Sequence, residues 1–141
     1  MSKVRKDNIK RFDRVMDANF NRAKEGLRVC EDICRFVLDA KSLTRGYKSV
    51  RHQLTEMITS LKILEVIRSR NIERDVGRGS TSVECTRKSA MDIFYANSQR
   101  VKESMRVLEE FAKLRNKKLA EGLKRLRYKV YALEKNVIER C

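Results

Sequence analysis

The chain has 141 residues, of which 41% are hydrophobic and 38% are charged. This length and balance fit a single folded domain with its own core and argue against a disordered chain. Proline is absent and glycine occurs five times, so long helices can run without interruption. The net charge of +15 favours anionic partners, namely nucleic acid, phosphorylated metabolites or nucleotides. The absence of tryptophan and the scarcity of other aromatic residues argue against a stacking platform for nucleic-acid bases.

The N-terminal residues and the cysteines predict a cytoplasmic protein without membrane contact. Residues 1–6 are charged and no apolar segment follows them, which excludes the pattern of a secretory signal. Apolar runs are far shorter than the ~20 residues that span a bilayer. Cys30 and Cys34 lie among apolar neighbours, and His52 is the single histidine. Because a metal site would need further ligands, we expect reduced thiols in the core.

Apolar residues recur at spacings of three and four and predict four long helices. Such stripes occupy residues 12–38, 47–64 and 119–137, and a third helix is expected from about 87 to 114. This spacing is typical of antiparallel helices that pack at a shallow crossing angle. Between the second and third helices, residues 70–82 hold two glycines, several hydroxyls and three arginines without an apolar period. A long loop of this kind inside a compact domain is usually functional.

The chain contains an internal repeat. Residues 18–31 and 96–109 are identical at eight of fourteen aligned positions. These are Ala18/Ala96, Asn19/Asn97, Arg22/Arg100, Lys24/Lys102, Glu25/Glu103, Arg28/Arg106, Val29/Val107 and Glu31/Glu109. A second block, residues 46–52, aligns with residues 122–128. The sequence therefore predicts an all-α, up-down antiparallel four-helix bundle built from a duplicated helical hairpin. It forms a single domain over residues 1–141, with repeat one at about 8–70, a long functional loop at about 71–86 and repeat two at about 87–141.

Two repeated polar residues fall on or beside each apolar stripe. At 100° per residue, Asn19 and Asn97 lie within the stripe, and Arg22 and Arg100 lie at its edge. Buried amides and guanidinium groups are costly unless their hydrogen bonds are satisfied. One interpretation is that the asparagines pair with each other or with backbone and fix the helix register. The other is an anion site in which the arginines bind phosphate oxygens and the amides orient the ligand.

The remaining repeated polar residues point away from the stripe. They are Glu25, Arg28, Glu103 and Arg106. Arg28 has Asp32 four positions further on, and this spacing fits a surface ion pair. Arg106 likewise has Glu110. The alternative is that the central loop or another subunit covers this face. His52 lies opposite its apolar stripe, and its repeat equivalent is a tyrosine, which favours a solvated or interface residue over a general base.

Several motifs together resemble one known family. They are residues 17–32 (DANFNRAKEGLRVCED), residues 51–54 (RHQL), residues 75–77 (DVG) and residues 96–110. The chain resembles, over residues 14–114, the small monofunctional hydroxymethylpyrimidine phosphate kinases of thiamine biosynthesis. That family occurs alone or fused to the N-terminus of thiamine phosphate synthase. The basic C-terminal helix carries little of the family's motif.

The resemblance implies transfer of the ATP γ-phosphoryl group to hydroxymethylpyrimidine phosphate, which gives the diphosphate. It implies a small phosphorylated pyrimidine and a nucleotide as ligands, and functional coupling to thiamine phosphate synthase. The residues that match the motifs are candidates for the site. They are Asn19, Arg22, Glu25, Arg28, Arg51, His52, Asp75, Gly77, Arg87, Asn97, Arg100, Glu103 and Arg106.

Physical chemistry suggests roles for some of these candidates. Phosphoryl transfer needs charge neutralisation and positioning, and no Walker A motif is present. We expect Arg22 and Arg100 to bind phosphates. His52 is a further candidate catalytic residue. Asp75 is the candidate ligand for Mg²⁺, which proteins usually hold with one or two carboxylates. The loop at residues 70–82 would close over the reacting groups.

A rival hypothesis is a non-enzymatic basic helical module that binds RNA or a partner protein. It accounts for the net charge but not for the polar residues repeated on the apolar stripe. A homodimer is also considered, because the outward face with Glu25 and Arg28 has no other evident purpose.

Overall fold

The computed structural model of the chain describes residues 2–141, without the side chains of Val83 and Cys85. Over these residues the chain forms helices and connecting turns and no β-strand, which confirms the all-α prediction. The helices are α1 (Lys3–Asp32), α2 (Lys41–Thr59), α3 (Ile63–Arg68), α4 (Ser82–Cys85), α5 (Ala90–Ala112) and α6 (Lys117–Arg140). A π-helical turn (Ile33–Val37) follows α1, and a 3₁₀ turn (Ile72–Arg74) lies between α3 and α4. None of the described helices is both long enough and apolar enough to cross a membrane.

Side-chain caps explain where three of the long helices begin. The Ser2 hydroxyl accepts the Arg5 amide of α1, and the Asn116 side chain accepts the Leu119 amide of α6. Ser89 caps α5, and Asp92 in its first turn accepts the Lys88 amide in return. This reciprocal arrangement satisfies amide groups that otherwise lack partners at a helix start. It also places the start of α5 three residues after the predicted position 87.

The π-helical turn at the end of α1 corrects the predicted first stripe. An i→i+5 turn adds a residue and rotates the following side chains, so Val37 is 57% exposed although the 3.6-residue period assigned it to the core. Asp39 then adopts a left-handed conformation with φ of 49°. This reversal leads into α2, whose N-cap, Ala40, provides no side-chain hydrogen bond.

The second predicted helix divides into two. Helix α2 ends at Thr59, and the short α3 packs against α1 through Val66, which is 1% exposed. Leu64, assigned to the apolar stripe by its spacing, is consequently 65% exposed. The predicted loop at residues 71–86 also contains the 3₁₀ turn and α4, so it is not wholly irregular.

The four long helices contact one another in a ring: α1 touches α2 and α5, and α6 touches α2 and α5. The Phe12 and Phe111 rings lie 5.8 Å apart near one end of the α1–α5 pair. Towards the other end, a Cβ built on Gly26 would lie 2.7 Å from Val101 Cγ2 and 3.1 Å from the Asn97 carbonyl oxygen. Only glycine allows α1 and α5 to approach so closely. Residue numbers fall along α5 as they rise along α1, so the two helices run in opposite directions.

Candidate functional site

A pocket of about 600 Å³ forms where the loop after α3 meets the first half of α1. We call it the loop pocket. It brings together four residues predicted for the site, Asn19, Arg22, Glu25 and Asp75. Three of them come from one face of α1 and the fourth from the Asp-Val-Gly turn. Glu25 and Asp75 are 50 positions apart in the sequence, and the fold brings them into one concave site.

Asn19 fixes the position of Arg22 in this pocket. Asn19 is 5% exposed, and its Nδ2 donates to the Val15 carbonyl oxygen at 2.9 Å. Its Oδ1 accepts a hydrogen bond from Arg22 Nη1 at 3.4 Å. The amide therefore bonds to backbone, as one interpretation of the sequence proposed, and also restrains a guanidinium at the pocket edge. Because Arg22 is exposed, the rest of its fork remains accessible to an anion.

A buried carboxylate attaches the loop to α1. Arg70 donates to both oxygens of Asp17, Nε to Oδ2 at 2.7 Å and Nη2 to Oδ1 at 2.8 Å. These hydrogen bonds raise the pKa of Arg70 above its usual value. Arg14 adds a bond of 3.4 Å to the Asn71 carbonyl oxygen. The segment that leads to Asp75 is thereby held against the pocket at its first residues.

Asp75 is exposed, and its Oδ1 accepts the Gly77 amide at 3.0 Å, which closes the Asp-Val-Gly turn. Gly77 contributes backbone to this turn and does not line the loop pocket. The described residues contain no group of three or more His, Cys, Asp or Glu side chains that could enclose a metal ion. The Asp75 carboxylate fits an ion that is held by one carboxylate together with substrate phosphates, the usual arrangement for Mg²⁺.

A second pocket, of about 740 Å³, lies further along α1 and is bounded by the start of α2. We call it the basic pocket. Its lining includes Arg28, Arg51 and His52 from the predicted set. In total the lining has six Lys and Arg side chains and two carboxylates. His52 is exposed, as its position opposite the apolar stripe predicted.

Buried ion pairs recur at equivalent positions of the repeat. Arg51 Nη2 lies 3.2 Å from Glu31 Oε2, and Arg127 Nη2 lies 3.1 Å from Glu109 Oε2. All four side chains are at most 10% exposed. Each glutamate also pairs with the arginine three positions earlier on its helix, at 3.4 Å in the first copy and 3.6 Å in the second.

These contacts correct the predicted partner of Arg28, which is Glu31 and not Asp32. Arg28 pairs with the glutamate three positions later because Glu31 is buried and already oriented by its bonds to Arg51. The predicted pair of Arg106 with Glu110 is present at 3.3 Å, beside the bond of Arg106 to Glu109.

The second copy does not reproduce the loop pocket. Asn97 is half-buried, whereas Asn19 is buried, and it donates to the Ile93 carbonyl oxygen at 2.8 Å. The helical spacing of 100° per residue placed both asparagines within the apolar stripe. In α5, however, the buried position is Ser98, which donates a hydrogen bond to Glu134. Arg100 is exposed and does not line the loop pocket.

The other predicted residues of the second copy lie elsewhere. Glu103 and Arg106 line a smaller pocket of about 510 Å³ together with Arg127 and Tyr131. Arg87 donates to backbone carbonyl oxygens next to α4. The predicted set is therefore divided among separate regions of the surface.

Sequence reasoning missed five residues that organise these pockets. They are Asp17, Arg70, Glu31, Glu109 and Arg127. For the two glutamates the signal was present, because Glu31 and Glu109 are identical in the repeat, and Arg51 aligns with Arg127. Asp17 and Arg70 have no such signal, since their contact spans 53 positions and occurs in one copy.

Comparison with known proteins agrees with the resemblance of the motifs. The ThiD2 family matches residues 14–136. A thiamine-phosphate synthase of Synechocystis sp. is 39% identical over 126 residues, which cover 89% of this chain and 36% of that protein. The thiamine-phosphate synthase of Rhodopirellula baltica is 37% identical over 120 residues, 84% of this chain and 32% of the relative. The chain thus spans about a third of the length of these curated relatives. No solved structure matches it significantly. With its family match covering most of its length, the chain belongs to the ThiD2 family.

Proposed function

We propose that this protein transfers the γ-phosphoryl group of ATP to hydroxymethylpyrimidine phosphate and forms the diphosphate. Family membership and the names of the relatives support a place in thiamine biosynthesis. The observation that carries the reaction type is the meeting of Arg22 and Asp75 in the loop pocket. Phosphoryl transfer depends on clustered positive charge, a metal ligand and fixed geometry more than on covalent catalysis.

In this proposal Arg22 binds phosphate oxygens and Asn19 holds its guanidinium in place. Asp75 holds Mg²⁺, which neutralises charge on the phosphoryl group that is transferred. Glu25, on the same face of α1, is the hydrogen-bond acceptor for polar groups of the substrate. The bidentate contact of Arg70 with Asp17 keeps the loop close to α1, so that these groups need little reorganisation when substrate binds.

We also infer a bundle from a duplicated hairpin in which neighbouring helices of the ring are antiparallel. Because α5 runs opposite to α1, as α2 does, the order along the chain is up-down-down-up and not the simple up-down order that the sequence predicts. Contacts between successive helices of the ring support opposite directions. Lys129 Nζ of α6 lies 3.1 Å from Gln53 Oε1 of α2, and a Cβ on Gly46 of α2 would meet Leu133 of α6. The recurrence of the buried arginine–glutamate pairs supports the duplication.

The test is a coupled assay of ADP release with the purified chain, Mg²⁺, ATP and each candidate acceptor. We expect saturable turnover with hydroxymethylpyrimidine phosphate and none with the free alcohol, with the diphosphate identified by mass spectrometry. An exposed residue outside the pockets, as in Lys118→Ala, provides a matched control and should keep the wild-type rate. ADP release that is independent of the acceptor would contradict the proposal.

The rival function, RNA binding, is favoured by the net charge of +15. It predicts an RNA affinity that falls steeply with salt, because phosphate contacts release counterions. A titration at several salt concentrations measures this directly.

We further propose functional coupling to a thiamine-phosphate synthase, since the relatives that match this chain over a third of their length bear that name. A homodimer stays a proposal that sedimentation equilibrium tests.

A further inference from the structure

We infer that the basic pocket binds the polyphosphate chain of the nucleoside triphosphate donor, and that the loop pocket receives the acceptor. This inference rests on the proposed function and assigns the two substrates to two places. The basic pocket, of about 740 Å³, falls within the ordinary size of a small-molecule site. Its lining is dominated by cations, whereas the loop pocket mixes arginines with three carboxylates.

The charges of the basic pocket remain strongly positive after its internal ion pairs are considered. Glu31 is already bonded to Arg51 through both oxygens and lies 3.4 Å from Arg28. The other cations of the lining are Arg35, Lys41, Arg45 and Lys48. They face a single further carboxylate, that of Asp39. Such an excess of positive charge in a concave site attracts a multiply charged anion more strongly than a monoanion.

The start of α2 adds positive electrostatic potential to the basic pocket. Lys41 begins this 19-residue helix, and its N-cap, Ala40, supplies no side-chain acceptor for the first amides. Ala40, Lys41 and Thr44 all line the basic pocket. Uncapped amides and the positive end of the helix dipole therefore act together with the basic side chains.

The two pockets adjoin on the surface of α1, where their lining residues follow one another at intervals of three. Arg22 and Glu25 line the loop pocket, and Arg28 lines the basic pocket. Residues three apart are adjacent on a helix surface, and the rise from Arg22 to Arg28 is about 9 Å. A nucleotide that extends along this surface can present its terminal phosphate to an acceptor in the loop pocket.

The charges in the second copy of the repeat explain why we assign the donor site to the first copy. The repeat offset of 76 aligns Arg45 with Glu121 and Lys48 with Lys124. One of the cations that line the basic pocket is therefore an acid in the other copy. A pocket of the second copy contains Arg106 and Arg127, the equivalents of Arg28 and Arg51. It is smaller, about 510 Å³, and its further cation is Lys102. Among the described residues, the pocket of the first copy is therefore the more strongly basic of the two.

The experiment measures binding of ATP, inorganic tripolyphosphate and AMP to the full chain by calorimetry. The test variant carries Arg45→Ala and Lys48→Ala, two exposed positions in α2. The matched control carries Lys118→Ala and Lys124→Ala, exposed positions in α6. We expect the affinity for ATP and for tripolyphosphate to fall by about tenfold or more in the test variant, because two charge-assisted contacts are lost. The control should change by less than about twofold, since surface charges outside the site contribute little. AMP should bind more weakly than ATP to the wild-type chain.

Equal losses in both variants would overturn the inference, because they would report net charge alone. Unchanged ATP affinity in the test variant would overturn it as well. Circular dichroism of the test variant separates a loss of binding from a loss of fold. The assay of turnover keeps this inference distinct from the proposed function. If tripolyphosphate binds as expected but the pyrimidine phosphate is not phosphorylated, the site stands and the proposed reaction fails. If turnover occurs with a wild-type KM for ATP in the test variant, the reaction stands and this site fails.

Discussion

Arg51 donates two hydrogen bonds to Glu31 between α1 and α2, with distances of 3.2 Å from Nε to Oε2 and 3.4 Å from Nη2 to Oε1. Arg127 and Glu109 form the equivalent pair between α5 and α6. Both pairs are buried, and a buried ion pair is valuable mainly because removing one partner leaves the other charge without compensation. The duplicated motif thus contributes buried cross-helix contacts as well as surface charges.

Replacing Glu31 by Ala should lower the free energy of unfolding by about 3–5 kcal/mol, because Arg51 is left buried and unpaired. Glu109→Ala should produce a loss of similar size through Arg127. Urea unfolding followed by circular dichroism measures both. Glu110→Ala is the control, since Glu110 forms only exposed pairs, and we expect little change. The double variant E31M/R51M should recover much of the loss. A Glu31 variant as stable as the Glu110 variant would contradict this account.

Asp17→Asn should release the loop without unfolding the helices. The variant loses the charge-assisted bidentate contact with Arg70, so Asp75 is no longer held near α1. We expect kcat to fall by roughly 10- to 100-fold, the usual consequence of lost positioning, and trypsin to cleave residues 71–82 faster. Asp13→Asn is a matched control on the same helix, because Asp13 pairs with Arg115 and not with the loop. Equal trypsin protection in the two variants would refute the proposed attachment of the loop.

Asp75→Asn should reduce kcat by about 10²-fold or more and raise the Mg²⁺ concentration needed for half-maximal rate, because a metal ion contributes several kcal/mol to phosphoryl transfer. The measurement is a Mg²⁺ titration of the steady-state rate. Glu73→Gln serves as control, since Glu73 is exposed in the same loop and lies outside the loop pocket. A full rate in the Asp75 variant would remove the metal assignment.

Arg22→Ala should cost more activity than Arg100→Ala, although the two positions are equivalent in the repeat. Arg22 is held by the buried Asn19 at the loop pocket, and removing a preorganised charge typically costs about 10²-fold in rate. Arg100 lies outside that pocket, and we expect a loss of about tenfold or less. Determination of kcat and KM for both variants tests this. Losses of equal size would favour the symmetric phosphate clamp that the sequence predicted.

Alkaline pH should destabilise the fold through the two buried thiols. Burial raises the pKa of Cys30 from 9.0 to about 12 and that of Cys34 to about 11. A group with a raised pKa in the folded state stabilises fully below its unfolded value, and that contribution is lost as pH rises through the folded pKa. The free energy of unfolding should therefore decline above about pH 9, by up to about 1.4 kcal/mol per pH unit for each thiol.

Urea unfolding at pH 8 and pH 10.5 measures this slope, and Cys34→Ala should reduce it. Cys141→Ala is the control, because this thiol is exposed. Iodoacetamide followed by peptide mapping should label Cys141 in the native protein and Cys30 only in denaturant. A slope unaffected by Cys34→Ala would contradict the assignment of the pH dependence to the core thiols.

The apolar spacing predicted the helical class and the long helices correctly, since a 3.6-residue period reports directly which face of a helix is buried. The prediction from apolar spacing failed where the 3.6-residue period changes. The π-helical turn moved Val37 to the surface, and the end of α2 at Thr59 left Leu64 exposed. The third helix begins three residues later than the expected position 87, because Ser89 and Asp92 cap α5 locally. In the candidate site, the motifs treated Asn19 and Arg22 as equivalent to Asn97 and Arg100, whereas the structure gives the two copies different surroundings.

The sequence alone determined that the chain is helical, that its motif is duplicated and that the duplicated residues include arginine, asparagine and glutamate. These properties depend on local periodicity and on comparison of the chain with itself. Only the tertiary structure decided that Asp17 binds Arg70, and that one copy of the motif meets the loop whereas the other does not. Contacts between residues distant in sequence depend on helix packing and on a loop that occurs once, and neither repeats along the chain. The repeated motif is therefore a property of the sequence, and the single loop gives its two copies different surroundings.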